Sequence, residues 1–422
     1  MLKHAALATI SILVSFLVMW AACESLHADP SVAVLGAVVA LGLSRPPEGR
    51  EHPHLFVEAA GLVLIGLLAA GAGLLLRWNL FAGGALFTTC VAASMWLRGL
   101  HDDARVLGRV VALPFITMLI APVRPQHGTG IVLLFIAPLV ALAVCRLIQR
   151  RPQPIDAPPA RERKVSTLRP PVHVRMALQM FVALALAFVL GALFFRAHWP
   201  WIVLSAFIVC AGALGRADAL YKGSLRLAGA LGGGVTAALV TFALPANGIL
   251  DALVIFGALF AGIALRPLSY AWWAAATTLI FALLQRGEAT VRTGLYLARL
   301  ECIVIGALCG IVAACLVLPL KTRDIARRRI ADALAAIEHG ATRGSAATTF
   351  ADKELARLAG PLRLHRVVTF ALHDGEHPAE WIAVMRSILA HDAPSNVTAI
   401  RQARRAIRDQ DGITAALRAL SP

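Results

Sequence analysis

Charge is scarce in this 422-residue chain: 15% of its residues are Asp, Glu, Lys or Arg, with 24 acidic residues against 40 basic ones. A soluble protein of this size cannot hide the apolar surface implied by 59% hydrophobic residues and a mean hydropathy of +0.73, whereas lipid can cover it. Seven cysteines are present (Cys23, Cys90, Cys145, Cys210, Cys302, Cys309, Cys315), all inside apolar stretches and none in a CxxC pair. That pattern excludes a disulfide framework and a zinc site, and leaves the thiols as small packing residues. Walker A, dinucleotide and nucleophile-elbow motifs are also missing, so an ATP-driven pump would need its nucleotide motif in another chain. No nucleophile, base or metal set converges, so the expectation is of a protein that is not an enzyme and holds no cofactor or metal. The net charge of +16 lies in loops between apolar stretches and in the last hundred residues. It therefore reads as a topology signal rather than a nucleic-acid surface.

What the chain does have is apolar runs. Each run is about twenty residues, the length that carries a helix across about 30 Å of hydrocarbon. The first six cover 5–24, 30–44, 55–76, 79–96, 106–122 and 129–148; the second six cover 174–195, 199–215, 225–244, 249–265, 269–284 and 296–318. The expected fold is an all-α polytopic membrane protein of about twelve transmembrane helices in two six-helix halves, 1–149 and 174–320. Between them, 150–173 forms a basic linker with Pro152, Pro154, Pro158, Pro159, Pro170 and Pro171, a density incompatible with a continuing helix. The first stretch has the look of a signal peptide but no small-x-small cleavage site, and it reads as a retained helix.

Lys and Arg are asymmetric across the breaks. Placing the N-terminus in the cytoplasm puts Arg45, Arg50, Arg98, Arg105, the linker, Arg216, Lys222, Arg226 and Arg266 on the inner side, and both termini with them. The break holding Arg286, Arg292 and Arg299 runs against this bias. His27-Ala-Asp-Pro30 precedes the second stretch as His198-Trp-Pro200 precedes the eighth. Each of those stretches ends in a small residue and Arg (Ser44-Arg45, Gly215-Arg216), which supports duplication of a six-helix unit. From 321 to 422 apolar residues recur at helical spacing among charges (Ile325, Ile330, Leu334, Ile337; Leu355, Leu358, Leu362), giving a cytoplasmic tail of small amphipathic helices. His373-Asp-Gly-Glu-His377, followed by Pro378, cannot form an HExxH face and reads as a loop.

The most specific stretch runs from His198 to Val240. It combines Trp199 and Trp201 near a helix start, a Gly215-Arg216 turn, and Arg226 followed by Gly229 and Gly233. With Arg299, Glu301 and Gly306 in the last apolar stretch, it resembles the fusaric acid resistance (FUSC) family, which includes aromatic acid exporters. The six-plus-six plan fits too, although the first half carries only Glu58 and Gly61 where the second has Arg226 and its glycines. The resemblance implies a bacterial inner-membrane efflux transporter of small organic or aromatic acids. It also implies a proton-gradient drive and a periplasmic membrane-fusion adaptor. A homo-oligomer is a further possible partner, and the lipid bilayer is the solvent. Two rivals stand beside it: a passive organic-anion channel, since plant aluminium-activated malate channels look distantly similar, and a non-transporting membrane scaffold.

The residues themselves leave pairs of readings open. Gly229 and Gly233, like Gly306 and Gly310, are four apart and share a helix face; they permit close helix approach or form a thin wall beside a path. Arg226 either snorkels to headgroups or offers a fixed cation to an anionic substrate. Trp199 and Trp201, like Trp272 and Trp273 beside Tyr270 and Arg266, anchor at the interface or stack on cargo. Arg216, Arg226 and Arg299 are the cationic substrate-path candidates. Glu301 and then Glu58 are the proton-coupling candidates, because a carboxylate at membrane depth costs about 2.5–3.5 kcal/mol on insertion scales and normally has a task or a partner.

Overall fold

A computed structural model describes residues 2–29, 31–44, 55–100, 128–148, 171–211, 215–245, 247–284, 293–319, 322–340, 377–391, 397–409 and 413–420, with scattered residues near 104–119, 213 and 352–366. The basic linker, apart from 171–173, lies outside the described residues, as do the break from 285 to 292 and residues 373–376. Of Glu58, the helical backbone is described but not the side chain.

The described residues are all-helical and contain no strand. In order the helices are α1 (Leu2–Ser25), α2 (Ser31–Leu43), α3 (Leu55–Trp78), α4 (Leu80–Leu97), α5 (Gly128–Ile148), α6 (Val172–Phe194), α7 (Trp199–Cys210), α8 (Arg216–Ala243), α9 (Gly248–Leu265), α10 (Tyr270–Leu284), α11 (Thr293–Leu316), α12 (Thr322–Gly340), α13 (Pro378–His391), α14 (Val397–Asp409) and α15 (Ile413–Arg418). Seven of them, among the described residues, are long and apolar enough to cross a bilayer: α1, α3, α4, α6, α8, α9 and α11. Four more are apolar but shorter in their described parts: α2, α5, α7 and α10. At 12 residues, α7 rises only about 18 Å, well short of the hydrocarbon thickness. The expected run 106–122 is described only in pieces, where Val111, Phe115 and Leu119 are helical and buried.

The helices fall into two compact units. The first holds Met1–Asp156, Val165–Ala211 and Gly223–Ala313. Within it α1, α2 and α5 pack together, α4 lies along both α3 and α6, and α9 lies along α10 and α1. An edge-to-face pair, Phe16 with Phe256 at 5.8 Å, marks the contact of α1 with α9, and Phe87 meets Phe115 and Phe188 in the same edge-to-face manner, each at 5.4 Å. Helices of both sequence halves thus share one core. Its outer surface is apolar: Phe242 is 93% exposed and Ile249, Leu253, Leu239 and Val235 all stand out of the protein. Water would not tolerate a surface of this kind over so many helices, and lipid is its natural solvent. The chain is a multi-pass membrane protein.

The second unit comprises Gly212–Lys222 and the chain from Ala314 onward. It has its own core, in which Trp381, Ile330, Leu334, Met385, Ile400 and Leu417 are fully or almost fully buried. The amphipathic repeats of the tail therefore do pack on one another. Glu338 on α12 accepts hydrogen bonds from Arg401 (3.0 Å) and Arg404 on α14. These bonds, that of Arg401 foremost, hold its carboxyl below the ordinary glutamate range.

Candidate anion site

Local sequence sets up α8. Helix α7 ends at Cys210, and Gly215 adopts φ 132°, a conformation open to glycine and strained for other residues. The chain then starts a 28-residue helix at Arg216. Arg226, Gly229 and Gly233 lie at i, i+3 and i+7, one face of that helix. The face lies against α10. A Cβ on Gly229 would sit 2.5 Å from both the Ala271 carbonyl oxygen and the Ala274 Cβ; one on Gly233 would meet the Ala275 carbonyl oxygen and come within 2.9 Å of Thr278 Cβ. Gly232 and Gly234, off this face, have open space around them.

This register fixes where the Arg226 side chain goes. Its Nη1 donates to Thr277 Oγ1 at 3.2 Å. Thr277 is level with the stretch between Gly229 and Gly233, which is about one turn beyond Arg226 along α8. The guanidinium therefore extends toward the middle of α8, not toward its start, where a snorkelling side chain would go. Arg226 is 1% exposed, and its Nε is buried with no hydrogen-bond partner. Among the described residues no carboxylate pairs with it, and the hydroxyl that holds it is neutral. A cation so placed costs about 2.5–3.5 kcal/mol on insertion scales, and a bound anion would offset that cost.

Arg299 is placed differently. It is 8% exposed, its guanidinium lies 4.0 Å over the Trp201 ring, and its Nη2 donates to the Phe281 carbonyl at 3.2 Å. Phe281 lies in the last turn of α10, where carbonyls lack intrahelical partners and a cation complements the helix dipole. Trp201 in turn packs on Phe281 at 5.5 Å, and Trp199 on Phe188 at 5.3 Å. Both tryptophans are half-buried and engaged in the helix core. Gly306 and Gly310 let α11 lie against α7: Gly306 meets the Ile202 carbonyl oxygen, a Cβ on Gly310 would stand 2.9 Å from a Val209 methyl, and Cys210 Sγ donates to the Gly310 carbonyl at 3.6 Å.

Glu301 is exposed and shares a stripe of α11 with Val304, Leu308 and Val312, away from the face that carries Gly306 and Gly310. Arg216 is exposed at the first residue of α8 and groups with the tail unit. The structure therefore brings Arg226, Gly229 and Gly233 together on α10, and Arg299 together with Trp201. It leaves Glu301 and Arg216 outside both groups. Thr277 went unrecognised from the sequence as the partner of Arg226; a hydroxyl in an otherwise apolar helix was the available signal. Among the described residues no cluster of three His, Cys, Asp or Glu is able to hold a metal.

Residues 178–313 match the model of a family described as fusaric acid resistance protein-like. That span contains the α8–α10 face and the Arg299 cluster, and leaves out the first five helices and the tail. No curated protein matches the chain, and no solved structure does.

Proposed function

We propose that the protein is a permease for small organic anions, with Arg226 as the cation that binds the substrate. One observation carries the reading: a fully buried guanidinium, held by a neutral hydroxyl, with an unpartnered Nε in the middle of an apolar helix pair. The family likeness over 178–313 supports a transport role. On this reading the carboxylate of the substrate takes the Nε edge of Arg226, and Thr277 fixes the fork. The site is closed as it stands, because Arg226 is 1% exposed. Turnover then requires α8 and α10, or a neighbour, to part and admit solvent from one side at a time.

The finer proposal is efflux from the cytoplasm across a bacterial inner membrane, both termini inside, driven by protons carried on Glu301 or Glu58, with a periplasmic membrane-fusion adaptor. A passive anion channel is the second reading. What favours it is that no carboxylate stands beside Arg226 among the described residues, so no proton carrier is built into the site. The test is uptake of radiolabelled mono- and dicarboxylates, benzoate and malate included, into inverted vesicles. Arg226→Gln is expected to abolish uptake and Arg226→Lys to restore it in part. Full uptake by Arg226→Gln refutes the role of the residue. Conductance in a planar bilayer without a proton gradient decides for the channel.

A further inference from the structure

Arg226 is not the sole cation at its end of the helix pair. Arg266, the residue that ends α9, is exposed, and its guanidinium lies 5.7 Å over the ring of Trp273 on α10. Three residues later α10 begins at Tyr270, with Ser269 Oγ accepting from the Ala271 N–H. Trp273 and Thr277, the α10 residues that Arg266 and Arg226 touch, lie one turn apart on that helix. An exposed arginine and a fully buried arginine thus touch α10 on successive turns, and the positive end of the α10 dipole lies about one turn before the first of them. Among the described residues no carboxylate pairs with Arg266 or Arg226.

We infer that Arg266, held over Trp273 at the start of α10, forms an access station that captures the organic anion before it passes to Arg226. This inference rests on the anion site proposed above and adds a second, exposed position to it. The chemistry of the two positions differs. Arg266 stands exposed at a helix end, where a single cation attracts a carboxylate weakly and salt screens it. Arg226 works in a dry helix contact, where the same charge is screened far less. Arg266 therefore governs how readily the anion arrives, and Arg226 whether it is held. The Trp273 face fixes the Arg266 fork one turn before Thr277, which holds Arg226.

The experiment is initial-rate uptake of benzoate, and of any other acid in the panel that is taken up, into inverted vesicles at about 10 mM and about 300 mM ionic strength. Arg266→Gln is expected to raise KM about three- to tenfold at the lower strength and to converge on the wild type at the higher, with an unchanged maximal rate. Arg266→Lys restores the wild-type KM. A KM identical to wild type at both strengths overturns the proposal. So does a shift equal at both strengths, which assigns Arg266 to upkeep of the fold. Failure here, with Arg226→Gln still inactive, leaves the anion site standing; full uptake by Arg226→Gln, or no uptake of any acid by the wild type, removes both.

Discussion

Replacing Gly229 by alanine tests the contact that holds Arg226 in place. The added methyl would stand 2.5 Å from the Ala271 oxygen, 2.5 Å from the Ala274 Cβ and 3.0 Å from the Ala275 nitrogen. The obstacles are backbone and a Cβ, so no flexible side chain can swing aside. Ordinary contact needs about 3.4–3.8 Å, and α8 and α10 must therefore separate by about 1 Å. Overpacking of this kind costs about 1–3 kcal/mol. The Arg226–Thr277 bond, 3.2 Å long and about one turn away, would open past 4 Å on the same displacement and cease to be a hydrogen bond. The control is Gly232→Ala, where the methyl meets nothing within 4 Å and helix propensity alone favours alanine, by up to about 1 kcal/mol. The assay is thermal unfolding of the detergent-solubilised protein, paired with benzoate uptake into vesicles. Gly229→Ala should melt several degrees below Gly232→Ala, at about 2 °C for each kcal/mol, and should transport poorly. Equal melting temperatures for the two variants would refute the close-contact face and the positioning of Arg226 with it.

The remaining predictions concern charges elsewhere. Glu301→Gln is expected to abolish gradient-driven export while leaving the protein inserted; unchanged export under a pH gradient removes Glu301 from the mechanism. Arg299→Lys loses the fork that spans the Phe281 carbonyl and the Trp201 ring, and should lower thermal stability by about 1–2 kcal/mol with substrate KM unchanged; a raised KM would instead place Arg299 on the path. Glu338, whose carboxyl is held below its ordinary range by Arg401 and Arg404, stabilises the tail at neutral pH. Because the folded-state value is the lower one, this stabilisation is present above the unfolded glutamate value and is lost as pH falls through the folded one. Protection factors of the α12 and α14 amides in the full chain should fall as pH drops below the ordinary glutamate value of about 4.3, and Glu338→Gln should remove that step; wild-type protection that does not change across this range contradicts the pairing.

The amino-acid order alone settles the solvent. Runs of apolar residues with so few charges have no stable place in water, and that holds whatever their tertiary arrangement. Periodicity likewise places Gly229 with Gly233, and Gly306 with Gly310, on shared faces, because the helix repeat is local. The likeness of 178–313 to the fusaric acid resistance protein-like family was legible from the Trp, Gly-Arg and Arg-plus-glycine pattern, whose residues are close in the chain. Which helix meets each face is not local. Only packing decides that the α8 glycines meet α10 and the α11 glycines meet α7, because both pairings join segments dozens of residues apart. Packing also separates two arginines that look alike in the sequence. Arg299 finds a carbonyl and a ring, while Arg226 is drawn into the middle of a helix pair with one nitrogen left unpartnered. A side chain's type is written in the chain; what it finds to bond with depends on the neighbours that folding brings to it.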